Sequence, residues 1–165
     1  MEKPPKTYII RKAKHEDIDK VVIMFREQFH LHHKLNPVYF VGDRPEIVEL
    51  IHEYIIKSIN ESDPLLLVAE GQEGLVGFIT FKIQKNSYFD SNLTYYGEVI
   101  EVYVCQSQRK SGLGKRLIKE AENYFKKEKC EFSRLAVCSA NKSIATFYDR
   151  LGYANTVEIR VKHLK

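Results

Sequence analysis

Several large protein classes are excluded by what this 165-residue sequence lacks. Its three cysteines, Cys105, Cys130 and Cys138, are an odd number without CxxC spacing. That argues against a disulfide framework or a cysteine-built zinc site and points to a reducing cytoplasm. Met1 to Lys6 carries charges and two prolines with no apolar run behind them, so neither a signal peptide nor a membrane anchor is expected. No charge of one sign is massed along a stripe. The 26 basic residues are interleaved with 22 acidic ones for a net charge of +4, which gives nucleic-acid binding little support. A small polyanion needs only a local positive site and stays allowed. Internal repeats, low-complexity tracts and linkers are missing too, so the expectation is one domain over residues 1–165 with one active site.

What is present reads as a mixed α/β unit. With 44% hydrophobic and 29% charged residues, the composition is that of an ordinary globular protein. Thr7 to Ala13 is β-prone, and acidic Glu16 and Asp17 stand where they favour a helix start. Ile18, Val21, Val22, Phe25 and Phe29 then fall at helical spacing, predicting a helix from about Asp17 to Lys34. After the breakers Asn36-Pro37 and Gly42 to Pro45, the helical pattern resumes through Ile47, Leu50, Ile51, Tyr54 and Ile55, until Asp63-Pro64 ends it. Leu65 to Ala69 and Leu75 to Ile83 flank Gly71-Gln72-Glu73-Gly74 as a β-hairpin, and Tyr95 to Cys105 follows as another strand. A helix from Gly112 to about Lys129, a strand at Ser133 to Cys138 and a short helix from Lys142 to Leu151 complete the core order, with Gly152 as a left-handed cap. Val157, Ile159 and Val161 alternate with Glu158, Arg160 and Lys162, predicting a final strand with one wet face. The order is β-α-α-β-β-β-α-β-α-β.

The most informative stretch joins the strand Gly97 to Val104 to Arg109-Lys110-Ser111-Gly112-Leu113-Gly114-Lys115. A strand there meets a helix at two glycines. The helix start offers unpaired N–H groups and the positive end of the dipole, and Gly112 and Gly114 let an anion approach. Arg109, Lys110 and Lys115 add charge, so the arrangement suits a pyrophosphate. A Walker A loop would need a glycine where Arg109 stands and a Ser or Thr where Arg116 stands. A dinucleotide fingerprint would need a third glycine at Leu117. Both fail on spacing, leaving a plain glycine turn before a helix as the remaining alternative.

Arg109 to Gly114 matches the [RQ]-x-x-G-x-[GA] signature, and Asn141 to Tyr153 matches N-x(6)-Y-x(3)-G-[FY], in the order and separation found in the GNAT (GCN5-related N-acetyltransferase) superfamily. The close resemblance covers about Tyr96 to Tyr153, and the element order extends it over almost the whole chain. It implies an acyl-CoA N-acyltransferase fold: a central, mostly antiparallel sheet of six to seven strands, about four flanking helices, and fourth and fifth strands splayed at a bulge. It also implies an acetyl-CoA-dependent N-acetyltransferase acting on a primary amine of a small molecule or peptide. The rival is a GNAT-like acyl-CoA sensor or partner subunit without catalysis. A homodimer is left open.

Carried onto this sequence, the resemblance puts pantetheine and thioester contacts at Val102, Tyr103 and Val104. It puts pyrophosphate contacts at Arg109, Lys110, Ser111, Gly112, Leu113, Gly114 and Lys115, with an oxyanion-type amide near Val104. Direct transfer requires a base, because a primary ammonium of pKa about 10 is no nucleophile until deprotonated. Glu98 and Glu101 are the candidates, with a slight preference for Glu98; three apart on a strand, they face opposite sides unless a bulge intervenes. Tyr148 is the candidate acid for the departing thiolate, or else a tyrosine packed beside Phe147. Asn141 bonds the pantetheine arm, caps the helix, or does both.

His30 and His33 lie one turn apart on a predicted helix, but no companion ligand stands at a suitable spacing and no metal site is expected. The resemblance gives this helix end another use, with His33, Tyr39 and Phe40 touching the amine substrate. Cys105 and Cys138 read as small buried hydrophobes.

Overall fold

The computed structural model describes residues 7–164, so the expectations for Met1 to Lys6 lie outside the described residues. Five strands form one sheet in the order β1-β2-β3-β4-β5, antiparallel throughout except for the β4–β5 pair. They are β1 (Ile9–Lys12), β2 (Leu65–Gly71), β3 (Gly74–Lys85), β4 (Tyr95–Val104) and β5 (Phe132–Leu135). The helices are α1 (Ile18–Leu35), α2 (Pro45–Glu61), α3 (Leu113–Lys127) and α4 (Lys142–Arg150).

Strand alternation divides the core in two. On one face Leu66, Val68, Phe78 and Tyr103 meet Val21, Met24 and Phe25 of α1 and Ile51 and Ile55 of α2. On the other, Ile79, Phe81 and Val99 meet Leu113, Leu117, Ile118, Ala121 and Phe125, which form the apolar stripe of α3. The approach of α3 is close enough that a Cβ at Gly97 would fall inside the Phe125 ring, so β4 needs a glycine there.

Two features position the site. The β3–β4 register pairs Thr80 with Glu101 but Phe81 with Val99, which leaves Ile100 as the extra residue of a bulge. The β4–β5 pairing runs only from Tyr96–Phe132 to Val99–Leu135, so β4 continues to Val104 with no strand beside it on that edge among the described residues. This is the splay expected between the fourth and fifth strands.

Three expectations need correction. The described residues contain five strands, not six or seven. The alternating segment around Val157, Ile159 and Val161 forms no strand, and these three side chains are 81%, 68% and 62% exposed. Alternation marks a segment able to pair, but pairing requires a matching edge, and β5 offers only four residues. Cys105 and Cys138 are free and half-buried rather than fully enclosed.

Candidate active site

The end of β4 and the start of α3 build the first half of the site. Backbone groups alternate across a strand. The Tyr103 carbonyl faces β3, since a Cβ on Gly77 would lie 2.6 Å from it, and the Cys105 N–H donates to Val76 at 2.9 Å. By alternation, Val102 and Val104 turn their backbone groups to the opposite edge, where β5 has ended. The Arg109 guanidinium folds back there, donating through Nε to the Val104 carbonyl at 3.0 Å and standing 5.9 Å from the Tyr103 ring centre.

The loop into α3 is held from below. Tyr8 donates to Ser111 Oγ at 3.1 Å, and Ser111 donates to the Gln108 carbonyl at 2.6 Å. Lys110 and Gly112 both take left-handed conformations, with φ of 60° and 85°. At Gly112 a side chain would strain the backbone even though the space around it is open. Leu113 N–H has one long contact to Ser111 Oγ at 3.4 Å, while the amides of Gly112, Gly114 and Lys115 have no protein partner among the described residues. Lys110 and Lys115 are exposed beside them. The result is a cationic helix mouth with unsatisfied donors, which suits an anion of phosphate type.

Glu98 and Glu101 point to the same face of the sheet, contrary to what their spacing of three suggests. The bulge at Ile100 restores the phase: Glu98 pairs with Lys82 and Glu101 with Thr80, and these partners are two apart on β3. Their surroundings differ. Glu98 accepts from Gln84 Nε2 at 2.7 Å and lies 3.9 Å from the Arg134 guanidinium. Glu101 accepts from Gln28 Nε2 at 2.6 Å. Burial pushes the Glu101 carboxyl up to about 7, against the opposing pull of the Gln28 hydrogen bond.

Tyr148 of α4 is half-buried, 5.1 Å from the Phe147 ring and 5.8 Å from Tyr153. Its hydroxyl makes no hydrogen bond among the described residues. Burial, with the nearby Glu101 charge, pushes that phenol up to about 12, so it stays protonated at neutral pH. Asn141 is the N-cap of α4, its Oδ1 accepting from the Ile144 amide at 3.2 Å and from Ser143 at 3.1 Å. Phe147 approaches α3, since a Cβ on Gly114 would sit 3.5 Å from its ring.

His33, Tyr39 and Phe40 gather at the far end of α1. The Phe40 carbonyl lies 2.8 Å from His33 Nδ1, the Phe40 ring stands 4.8 Å from His32, and Tyr39 packs edge-on against Phe40 at 4.9 Å. Sequence reasoning passed over Gln28. It follows Phe25 by three and Val21 by seven, so it interrupts the apolar stripe of α1 with an amide, and that interruption was the available signal.

Compared with known families, residues 25–153 match the acetyltransferase (GNAT) family. This chain belongs to the GNAT family. The match includes both signatures, the helix mouth and the α4 tyrosine. Solved structures share the GNAT fold at low identity. A mutant of the BH1408 protein from Bacillus halodurans superposes with a TM-score of 0.84 at 17% identity, covering 95% of this chain and 99% of that one. A predicted acetyltransferase with acetyl-CoA from Clostridium acetobutylicum gives 0.73 at 14%, covering 95% and 96%. Aminoglycoside N-acetyltransferase AAC(6')-Iy in complex with CoA gives 0.73 at 12%, covering 100% and 99%. No curated protein sequence matches this GNAT chain.

Proposed function

We propose that this GNAT protein is a single-domain acetyl-CoA-dependent N-acetyltransferase whose acceptor is the primary amine of a small molecule or peptide. The observation that carries the reading is the placement of Glu101 on β4 just past the last residue paired with β5, held by Gln28 at 2.6 Å, where burial pushes its carboxyl up to about 7. The residues fit acetyl-CoA on two counts. The free amides at Gly112, Gly114 and Lys115 with nearby Lys110 suit its diphosphate. The edge at Val102 and Val104, which has no strand neighbour among the described residues, suits the amides of its pantetheine arm, as an added strand would, with Arg109 giving up the Val104 carbonyl.

Acetyl-CoA supplies the activated acyl group. Glu101 takes a proton from the acceptor ammonium, a task favoured by a base poised near neutrality. Glu98 is the weaker candidate, because Gln84 and Arg134 already occupy it. The Tyr148 hydroxyl, protonated and without a hydrogen-bond partner among the described residues, hands a proton to the departing thiolate. His33, Tyr39 and Phe40 form the outer wall for the acceptor. The named aminoglycoside acetyltransferases among the structural relatives, one of them with sisomicin, lend support to a small-molecule amine.

The test is thiol release from acetyl-CoA with aminoglycosides, polyamines, amino acids and N-terminal peptides as acceptors. Replacing Glu101 by Gln, or Tyr148 by Phe, is expected to lower kcat about 100-fold or more while leaving CoA affinity nearly unchanged. CoA binding without turnover on any amine would replace this reading by a sensor.

A further inference from the structure

A buried amide that satisfies only half of its hydrogen-bonding capacity is costly to the fold. Gln28 is such a group: the residue is 6% exposed and its Oε1 has no partner among the described residues. All of its hydrogen bonding is on the other side. Nε2 donates to Glu101 Oε2 at 2.6 Å and, more weakly, towards the Val102 carbonyl at 3.5 Å. With two acceptors there, the amide orientation is fixed by charge as well as by packing. Gln28 sits one turn after Phe25, itself pinned by stacking on Phe78 at 4.2 Å and edge-on against Tyr54, so the donor is carried on a rigid support.

We infer that Gln28 is the positioning residue of the catalytic base: its amide holds Glu101 Oε2 and leaves Oε1 of that carboxylate for the proton of the acceptor amine. The inference rests on the reading of Glu101 as the base. It assigns to α1 a direct part in the chemistry of β4, beyond its packing against the sheet. A donor to a carboxylate favours the ionised form, so Gln28 opposes the effect of burial and keeps the base available at neutral pH. Other groups face the same region: Tyr54 of α2, bonded to Thr80 of β3 at 3.1 Å, Tyr148 of α4, Glu98 and Lys82 along the strands, and Glu27 of α1, which bonds the Tyr103 hydroxyl. Burial and the Glu101 charge push Tyr54 up to about 12 and Tyr148 to about 12. Glu98 and Glu27 are held by Gln84 and Tyr103. Among the described residues, Gln28 is the hydrogen-bond donor that Glu101 has.

The experiment compares the pH dependence of kcat/KM for the wild type, Gln28→Met and Gln28→Glu. Gln28→Met keeps the length and removes the donor, so the acid limb is expected to move alkaline by about one unit. The high-pH plateau should stay within a few-fold and KM for acetyl-CoA should not change. Gln28→Glu places a second carboxyl against the first and should move the limb further in the same direction. A merely structural residue would lower the plateau without moving the limb, so an unmoved limb in the folded variant that lacks the donor overturns the inference. Should Gln28→Met fail to fold, the limb of Gln28→Leu, which also removes the donor and adds no charge, takes its place. Glu101→Gln is assayed alongside. If it keeps full turnover, the base reading fails and this inference with it; if it is inactive while the Gln28 limbs stay put, only this inference fails.

Discussion

A carboxylate partly covered by protein loses water that stabilises its charge, and half-buried Glu101 carries both consequences of that loss. It becomes a better base, and it becomes a burden on the fold. Its carboxyl stands at about 7 in the native state against 4.5 ordinarily, so between these values the native protein binds a proton that the unfolded chain does not. Stability from this group is therefore fully present below about 4.5 and lost as pH rises through about 7. Glu101→Gln keeps an acceptor for Gln28 and removes the charge. The variant is expected to melt higher than the wild type at pH 8 and to differ little at pH 4.5, as thermal unfolding at the two pH values will show. Equal differences at both would mean that the carboxyl is not buried. Gln28 was overlooked in the sequence for a related reason: an amide on an apolar stripe gains meaning only once the residue it faces is known.

At the level of elements, β4 couples the two halves of the site. Its bulge at Ile100 brings Glu98 and Glu101 to one face, and its glycine at position 97 lets α3 lie close enough to bring its N-terminus to the strand end. Gly97→Ala forces the Phe125 ring away and is expected to cost about 2 kcal/mol in chemical denaturation, with weaker CoA binding if the helix shifts. No loss would mean that the packing can yield. The segment after α4 gives the opposite expectation. Since Val157 and Ile159 lie exposed and unpaired, the double replacement Val157→Ser with Ile159→Ser should alter stability by less than about 0.5 kcal/mol. A larger loss would reveal a strand pairing absent from this fold. The place of the bulge at Ile100 and the missing final strand escaped sequence reading because both depend on a neighbouring strand's register, which local alternation does not contain.

For the whole molecule, the charge that matters is local. A net charge of +4 gives little long-range field, whereas Lys110 and Lys115 flank the open amides of α3 directly. Binding of a polyanion to the native state alone raises its stability by mass action. At a free CoA concentration of about 100 times Kd the gain is about 2.7 kcal/mol, which for a chain of this size corresponds to a melting shift of about 5–10 °C. The shift should shrink as salt is raised, because the lysines are exposed and screened. A CoA-independent melting point would contradict an anion site at this helix. Among the described residues, no helix is long and apolar enough to cross a membrane.

The sequence by itself determined the element order up to α4, the two apolar faces and the glycine-opened helix mouth, because helical and strand periodicities and the φ freedom of Gly112 are local properties. It also carried the family, through two short signatures whose spacing is read along the chain. Only the tertiary structure decided which carboxyl is pushed up by burial, that Gln28 is its partner, that the bulge turns both glutamates to one side and that the last alternating segment stays unpaired. Each of these depends on residues distant in sequence arriving together: Gln28 is separated from Glu101 by 73 positions, and neither periodicity nor composition records that meeting.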